Sequence, residues 1–253
     1  MITFSLQSGS NGNSIYVEAG GVRLLIDAGI SGKMAQRRLE EHGRDIRQVD
    51  ALIISHDHSD HVGCAGIYHR KFGLPVYMTR VTYRAVSRYL GTIDTVRHFR
   101  AGDALQFGPV TVHSVRTPHD AADGVAFVVE CEGKRLGILT DLGHPFAGLG
   151  GLLAGLDAAY LESNYDPHLL ETGPYPPHLK ARVRGKGGHL SNGESAELVA
   201  ACGRDGPRWI ALAHLSEQNN CPDLALETHR QCVGATYPLH VARRDGVSEV
   251  MTV

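Results

Sequence analysis

Short apolar runs separated by turn residues dominate the first part of the chain. Residues 2–6, 15–17 and 22–26 are rich in β-branched side chains and are divided by Gly, Asn and Ser, which predicts three strands of a meander. Residues 31–42 space their apolar side chains as a helix does, and the serine at the start can cap that helix. Residues 51–54 form a continuous apolar run, typical of a strand buried on both faces.

The rest of the pattern predicts a layered α/β fold. Residues 80–90 indicate a helix, and Asn192 and Asp223 are expected to cap two later helices that end near Gly203 and Gly234. Strand groups interrupted by helices and followed by more strands are typical of mixed sheets with helices packed on them. The chain shows no linker or internal repeat, so residues 1–253 are expected to form one domain. Further strands are predicted at residues 110–115, 125–131, 136–140, 160–161 and 209–213.

Composition excludes several classes of protein. Hydrophobic residues make up 42% and charged residues 21%, which excludes disordered and fibrous chains. The 25 Lys and Arg residues are balanced by 27 Asp and Glu residues, which excludes a uniformly basic nucleic-acid-binding protein but leaves room for a local basic patch. The chain has 15 histidines, as many as its 9 tyrosines and 6 phenylalanines together, and histidine is the usual nitrogen ligand of transition metals.

The cysteines and the hydropathy pattern predict the cellular location. The five cysteines are odd in number and include no C-x-x-C pair, which argues against a zinc site built from cysteine alone. Without a secretory leader, reduced thiols in the cytoplasm are the expected state. No apolar run approaches the roughly 20 residues that span a bilayer, so no membrane partner is expected.

A histidine-rich motif follows the buried strand at residues 51–54. It reads H-x-H-x-D-H and contains His56, His58, Asp60 and His61. His56 and His58 are two residues apart and can converge on one cation in an extended turn, while Asp60 and His61 can serve a second. Imidazole with carboxylate suits Zn²⁺, Mn²⁺ or Fe²⁺. Five potential ligands in six residues argue against the alternative, a polar exposed loop.

Three more potential ligands follow later apolar runs. His119, Asp141 and His214 each follow a predicted strand. A single aspartate at a strand end is more often a turn former. Three such residues in series, downstream of the histidine-rich motif, predict a metal site at the carboxyl ends of the sheets.

The order H-x-H-x-D-H, then His, Asp and His, resembles that of the metallo-β-lactamase fold hydrolases. The resemblance implies a four-layer αββα sandwich in which two mixed sheets are flanked by helices. It also implies two divalent transition-metal ions, Zn²⁺ or Mn²⁺, with Asp141 bridging them and Asp27 supporting a ligand from behind. The implied ligands of one ion are His56, His58 and His119, and those of the other are Asp60, His61 and His214.

Narrower motifs resemble the YycJ/WalJ family, which is similar to ribonuclease Z. The most specific are Gly-His-Leu-Ser-Asn at residues 188–192 and His-Leu-Ser-x-x-Asn-Asn at residues 214–220. Residues 8–14, 161–166 and 173–180 also match, so the resemblance covers nearly the whole chain. It implies a phosphodiesterase, specifically a DNA exonuclease, in which a metal-bridging hydroxide attacks phosphorus. Asp60, Asp141 and His189 are then the candidate catalytic residues, with His189 assisting departure of the leaving oxygen.

Two basic stretches favour a nucleic-acid substrate. Residues 172–193 contain no Asp or Glu, and residues 62–93 contain none either, although the second stretch holds Arg80, Arg84 and Arg88. Cations spaced along a loop can follow a phosphate backbone. The predicted nucleic-acid-binding residues are Lys180, Arg182, Arg184 and Lys186.

Other functions stay open at this point, because the same metal chemistry hydrolyses several kinds of bond. The substrate of such a hydrolase could instead be a small phosphodiester, a thioester or a lactone. A binding protein that retains metal is a further alternative, although the presence of all seven ligands weighs against it. A third alternative is the diiron flavoprotein branch of the same fold. That branch carries Glu where this chain has His58 and needs a flavin domain, which argues against it.

Overall fold

The structure of the protein is a computed structural model that describes residues 1–203 and 206–253. Within those residues, fourteen strands form two sheets of seven. In spatial order, the first sheet consists of β14 (Met251–Thr252), β1 (Ile2–Gln7), β2 (Ser14–Ala19), β3 (Val22–Ile26), β4 (Ala51–Ile53), β5 (Val76–Thr79) and β6 (Val96–Phe99). The second consists of β13 (Leu239–Val241), β12 (Trp209–Ala213), β11 (Ala158–Glu162), β10 (Lys134–Leu139), β9 (Val125–Cys131), β8 (Val110–Arg116) and β7 (Ala104–Phe107).

Helices cover the outer face of each sheet. Apolar residues of α1, α3 and α4 pack on the first sheet, and those of α5, α8 and α9 pack on the second. The predicted four-layer αββα sandwich of two mixed sheets is therefore confirmed. The helices are α1 (Gly32–Glu40), α2 (Ser59–Val62), α3 (Ala65–Phe72), α4 (Arg80–Leu90), α5 (Leu149–Ala154), α6 (Pro167–Thr172), α7 (Pro177–Val183), α8 (Asn192–Ala201) and α9 (Pro222–Val233), with a short 3₁₀ helix at Ile46–Gln48.

Strand side chains alternate between two cores. Leu24 and Ile26 of β3 point between the sheets, where they pack with Phe127 and Tyr160 from the other sheet. Leu25 lies between them in sequence and points to the opposite face, against the helices. This period of two follows from strand geometry, and it explains why the central strands are continuous apolar runs: both of their faces are buried.

Parallel strands bring the predicted ligands to one edge. In the first sheet β3, β4, β5 and β6 run parallel, and in the second β10, β11, β12 and β13 do so. The backbone N–H of Val125 donates to the oxygen of Ser55 across 3.2 Å and joins the two sheets at that edge. Side chains that follow these strands therefore meet between the sheets, where open α/β folds bind their ligands.

The starts of two helices differ from the prediction. Ser31 caps α1 as expected, but α8 is capped by Ser191 and not by Asn192. The Ser191 hydroxyl accepts from the backbone of Glu194, and the Glu194 carboxylate accepts from the backbone of Ser191, which is a capping box. Helix α9 begins at Pro222, so Asp223 lies inside its first turn and is not its cap.

The segment before His189 is also more ordered than the sequence predicts. Lys180 and Arg182 lie on α7, and Arg184 is the residue that ends this helix, so the basic residues extend over a helix and the turn after it. Among the described residues, no helix is both long enough and apolar enough to cross a membrane.

Candidate metal centre

The histidine-rich motif divides into two pairs because a helix begins inside it. His58 has an extended backbone and directly precedes α2, so His56 and His58 leave the end of β4 together. Asp60 and His61 lie in the first turn of α2, and the ring of His61 stays close to that of His56, with centroids 4.2 Å apart. His56 and His61 are almost completely buried, whereas Asp60 is half-buried.

Three residues at the site hold an uncommon backbone conformation. Asp27, Asp141 and His214 follow β3, β10 and β12 with φ angles of 67°, 56° and 56°. Non-glycine residues in this left-handed region cost about 1–3 kcal/mol each and persist where the surrounding structure holds them. The turn sends each side chain between the sheets instead of along its strand.

The first group of potential ligands contains His56, His58 and His119. The Nδ1–H of His119 donates to the backbone oxygen of Gly188 at 2.8 Å, which leaves Nε2 free to bind a metal. This Nε2 lies 3.2 Å from Nδ1 of His58. One ligand atom from each of the three residues lies within 4.8 Å of the others, so one cation fits between them.

The second group contains Asp60, His61 and His214. The Nδ1–H of His61 donates to Asp27 at 2.7 Å, and its Nε2 lies 3.5 Å from Nε2 of His214. Donation of one ring N–H to a carboxylate is how proteins orient a metal-binding histidine. The structure brings six of the seven predicted ligands together in these two groups, and His61 also lies in a further group with His56 and Asp141.

Asp141 lies between the two groups. Its Oδ2 is 3.2 Å from Nε2 of His61 in the second group, and its Oδ1 is 3.6 Å from Nε2 of His119 in the first. Its Oδ1 is also 3.6 Å from Nε2 of His214. This is the position that a bridging carboxylate requires.

Two buried atoms at the site lack a partner that a metal would supply. Nε2 of His56 and Oδ2 of Asp141 make no hydrogen bond within the described residues, although both are shielded from solvent. Unsatisfied polar atoms of this kind are rare in native proteins. Together with the imidazole and carboxylate donors, they indicate that the residues present fit divalent transition metals.

The local electrostatics also favour a cation. Burial holds the pKa of His56 well below its ordinary value, so that its ring is a neutral donor. Burial opposes the charge on His61 as well, but the carboxylates of Asp141, Asp60 and Asp27 outweigh it and raise the pKa of His61 to about 10. The carboxylates that stabilise a proton on this ring would equally stabilise a metal ion.

Residues that the sequence analysis did not select hold the ligands in place. The side-chain amide of Asn13 donates to Oδ2 of Asp60 at 3.3 Å, and that of Asn164 donates to the backbone oxygen of His214 at 2.7 Å. Gly29 has no room for a side chain, because a Cβ there would lie 1.7 Å from the backbone oxygen of Asp60. Asp57, at a variable position of the motif, accepts from the backbone N–H of Ala122 at 2.8 Å.

His189 lies beside the centre and is held by a buried carboxylate. Its Nδ1–H donates to Oε1 of Glu162 at 2.6 Å, and the same nitrogen is 3.8 Å from Asp141. Glu162 is fully buried, and its other oxygen accepts from the backbone N–H of Leu142 at 2.8 Å. Both oxygens of Glu162 therefore have partners, and Glu162 and His189 also form a further group of potential ligands with Asp141 and His214.

The predicted nucleic-acid-binding residues lie on one side of the centre, and half of them are paired. Arg182 donates to both oxygens of Asp120, which itself lies 3.6 Å from His119. Arg184 donates to Glu171 at 2.5 Å. Lys180 bonds only a backbone oxygen, and Lys186 makes no side-chain contact of this kind within the described residues. Asp120 carries no signal in the sequence beyond its place next to His119.

Comparison with known proteins decides the family. Residues 8–181 match the model of the metallo-beta-lactamase superfamily. The chain belongs to that superfamily. It is 34% identical to exodeoxyribonuclease YycJ of Bacillus anthracis, over 93% of this chain and 92% of the relative. It is 36% identical to exodeoxyribonuclease WalJ of Streptococcus pneumoniae strain D39, over 87% and 83%. It is therefore a member of the YycJ/WalJ family and a metal-dependent hydrolase.

A solved structure supports the fold alone. The metallo-beta-lactamase fold protein YhfI from Bacillus subtilis superposes with a TM-score of 0.74 at 15% identity. The superposition covers 98% of this chain and 99% of that one.

The two narrow YycJ/WalJ motifs meet in a buried amide network behind the centre. The side-chain amide of Asn192 donates to Oδ1 of Asn220 at 2.9 Å, and that of Asn220 donates to the backbone oxygens of Ser163 and Asn164. The Ser163 hydroxyl donates to Oδ1 of Asn192 at 2.6 Å. The network ties the end of β11 to the start of α8 and to the loop that follows His214. Asn192 and Asn220 of the narrow motifs therefore stabilise the loops that carry His189 and His214.

Proposed function

We propose that the protein is a dinuclear metal-dependent phosphodiesterase, and specifically an exonuclease that degrades DNA. The observation that carries the proposal is His189, because the buried carboxylate of Glu162 holds it next to Asp141. Hydrolysis of a nucleic-acid strand expels an alkoxide, which leaves poorly without a proton, and a positioned histidine can supply one. The names of the relatives YycJ and WalJ support the choice of DNA.

Each residue of the site has a distinct proposed role in the reaction. Two bound divalent ions would lower the pKa of water toward about 7 and neutralise charge on the phosphoryl oxygens. Asp141 would hold both ions, with His56, His58 and His119 on one side and Asp60, His61 and His214 on the other. Glu162 accepts the Nδ1–H of His189, so Nε2 is the atom that can carry a proton to the leaving oxygen. Glu162 is fully buried and holds the ring of His189 in this orientation.

A nuclease assay with metal analysis tests this function. End-labelled single- and double-stranded DNA and RNA are incubated with the protein in Zn²⁺, Mn²⁺ or Mg²⁺, and protein purified without chelator is analysed for metal. We expect mononucleotides to be released from the ends of DNA and the metal content to approach two ions per chain. Cleavage of a thioester or lactone with no cleavage of any nucleic acid would refute the proposal, and so would activity in metal-free protein.

We also infer that the protein works in the cytoplasm. Its five cysteines are all free within the described residues, and Cys221 and Cys232 are exposed. Exposed free thiols persist where the compartment is reducing. Fractionation of cells followed by detection of the protein tests this inference.

A further inference from the structure

A second cationic cavity opens at the same edge of the sheets as the metal centre. It has a volume of about 550 Å³. Arg80 directly follows β5, Arg100 directly follows β6, and Arg116 is the last residue of β8, three positions before His119. These three arginines line the cavity together with His98, Asp103 and Asp123, and we call it the arginine cavity.

Two of the three guanidinium groups are not neutralised by a carboxylate. Arg116 donates to Asp123 at 2.8 Å, and Asp103 accepts from the backbone N–H of Arg100 and not from its side chain. Within residues 1–203 and 206–253, the side chains of Arg80 and Arg100 make no ion pair or hydrogen bond. Both are exposed at the mouth of the cavity, so they can accept an anion without breaking an existing pair.

Strand spacing gives the separation across the sheet between the cavity and the strand that leads to His56. β5 is the neighbour of β4, whose end carries His56, and β6 is the next strand along. Parallel strands lie about 4.8 Å apart, so the backbones of Arg80 and Arg100 lie about 5 and 10 Å across the sheet from the end of β4. One strand of nucleic acid advances about 3.4 Å per nucleotide, and these distances therefore correspond to about one to three nucleotides.

We propose that the arginine cavity binds backbone phosphates of the nucleic-acid strand about one to three nucleotides from the scissile bond. The inference rests on the proposed nuclease function and adds a binding site to it. Guanidinium groups suit this role because their planar donors pair with phosphate oxygens two at a time. In the α7 region, which comprises residues 177–186, Arg182 and Arg184 already donate to Asp120 and Glu171.

The test compares two double variants, each of which removes two exposed cations. Arg80→Ala/Arg100→Ala removes the unpaired cations of the cavity. Lys33→Ala/Arg230→Ala removes the same charge from exposed positions on α1 and α9, outside the cavity, and serves as the matched control. Binding of a phosphorothioate 12-mer of single-stranded DNA is measured at several salt concentrations, and hydrolysis of a DNA 12-mer and of bis-nitrophenyl phosphate is measured in parallel on metal-loaded protein.

We expect the cavity variant to lose at least about tenfold in affinity and in kcat/KM for the 12-mer, since bonds to charged groups are worth more than neutral ones. Its salt slope, which is the steepness with which the logarithm of affinity falls with the logarithm of salt concentration, should decrease by about 1.4, or 0.7 for each phosphate contact on a single strand. Its rate on bis-nitrophenyl phosphate and its metal content should match those of the unaltered protein. The control variant should lose less than about twofold on every substrate.

Three results would overturn the inference. The first is a cavity variant with unchanged affinity and salt slope while the unaltered protein degrades DNA, which leaves the proposed function intact. The second is an equal loss in the control variant, which indicates only a general charge effect. The third is an equal loss on bis-nitrophenyl phosphate, which assigns the arginines to the metal centre. Failure of the unaltered protein to cleave any nucleic acid would instead refute the proposed function, and this inference with it.

Discussion

The metal centre and the basic α7 region beside it differ in how their charged groups are held. In the centre, His56, His61 and Asp141 are at most 4% exposed, and Ser55 and Asp27 hydrogen-bond the rings of His56 and His61. In the α7 region, the side chains of Arg182 and Arg184 are 53% and 50% exposed, and each forms an ion pair with a carboxylate from another part of the chain.

This difference in exposure determines what each region can contribute to catalysis and to substrate binding. Charges that are buried and fixed before the substrate arrives act at full strength on a developing charge, because water does not screen them. Exposed ion pairs are worth about 0–1 kcal/mol and are screened by salt, so they can exchange one anion for another at little cost. Substitutions in the centre should therefore have large effects that salt does not change, and those on the surface should have small effects that depend on salt.

The largest effect is expected for Asp141→Asn. Removing this carboxylate, which reaches both histidine groups, should lower turnover more than about 10⁴-fold, because metal ions supply several kcal/mol of stabilisation and each 1.36 kcal/mol is tenfold in rate. Asp57→Asn is the matched control. Asp57 accepts one backbone hydrogen bond at the rim, and we expect less than a tenfold loss. Equal rates for Asp141→Asn and the unaltered protein at equal metal content would contradict the assignment.

A somewhat smaller effect is expected for His189→Ala. Loss of a positioned acid should slow DNA cleavage about 10²–10⁴-fold without releasing metal, since His189 is not a proposed ligand. Bis-nitrophenyl phosphate should be affected little, because nitrophenolate departs without a proton. The control is His214→Ala, which should lose metal and slow both substrates. If His189→Ala also loses metal or slows both substrates equally, the acid must lie elsewhere.

The amide network should show its effect in stability. Asn220→Ala removes a side chain that donates to the backbone oxygens of Ser163 and Asn164 and accepts from Asn192. Leaving buried polar groups unpaired costs about 1–3 kcal/mol each, so we expect the free energy of unfolding to fall by about 2–4 kcal/mol in denaturant melts. Asn11→Ala, at an exposed position, should change it by less than about 0.5 kcal/mol. Similar effects for both variants would show that the network is dispensable.

The residues of the centre could be predicted from the sequence because each lies close to the end of a recognisable strand. An apolar run followed at once by a histidine or aspartate marks a strand end, and the carboxyl ends of parallel strands meet at one edge. Asp141 and His214 follow this rule closely, and His119 lies three residues beyond the end of β8. Their roles as ligands stay a prediction until metal is measured. The capping box at Ser191 was equally readable, since Ser191 and Glu194 have the required spacing.

The surroundings of the centre could not be predicted because their partners are remote in sequence. Arg182 and Asp120 are 62 residues apart, so no local pattern shows that they pair. The arginines of the cavity come from three different strand ends and converge only when both sheets have formed. Helix α7 was missed for a different reason: the prolines before it suggest a loop, whereas Pro177 fits the first turn of a helix.

The smallest effect is expected in the α7 region, where two single variants separate a free cation from a paired one. Lys186 is exposed, and its side chain makes no ion pair within the described residues, whereas Arg184 donates to Glu171. Lys186→Ala should reduce the salt slope of single-stranded DNA binding by about 0.7, the value for one phosphate contact. Arg184→Ala should reduce it less, because Glu171 already neutralises that charge. Equal losses would show that the pair opens on DNA, and an unchanged slope even in the quadruple alanine variant of Lys180, Arg182, Arg184 and Lys186 would show that the nucleic acid does not contact α7.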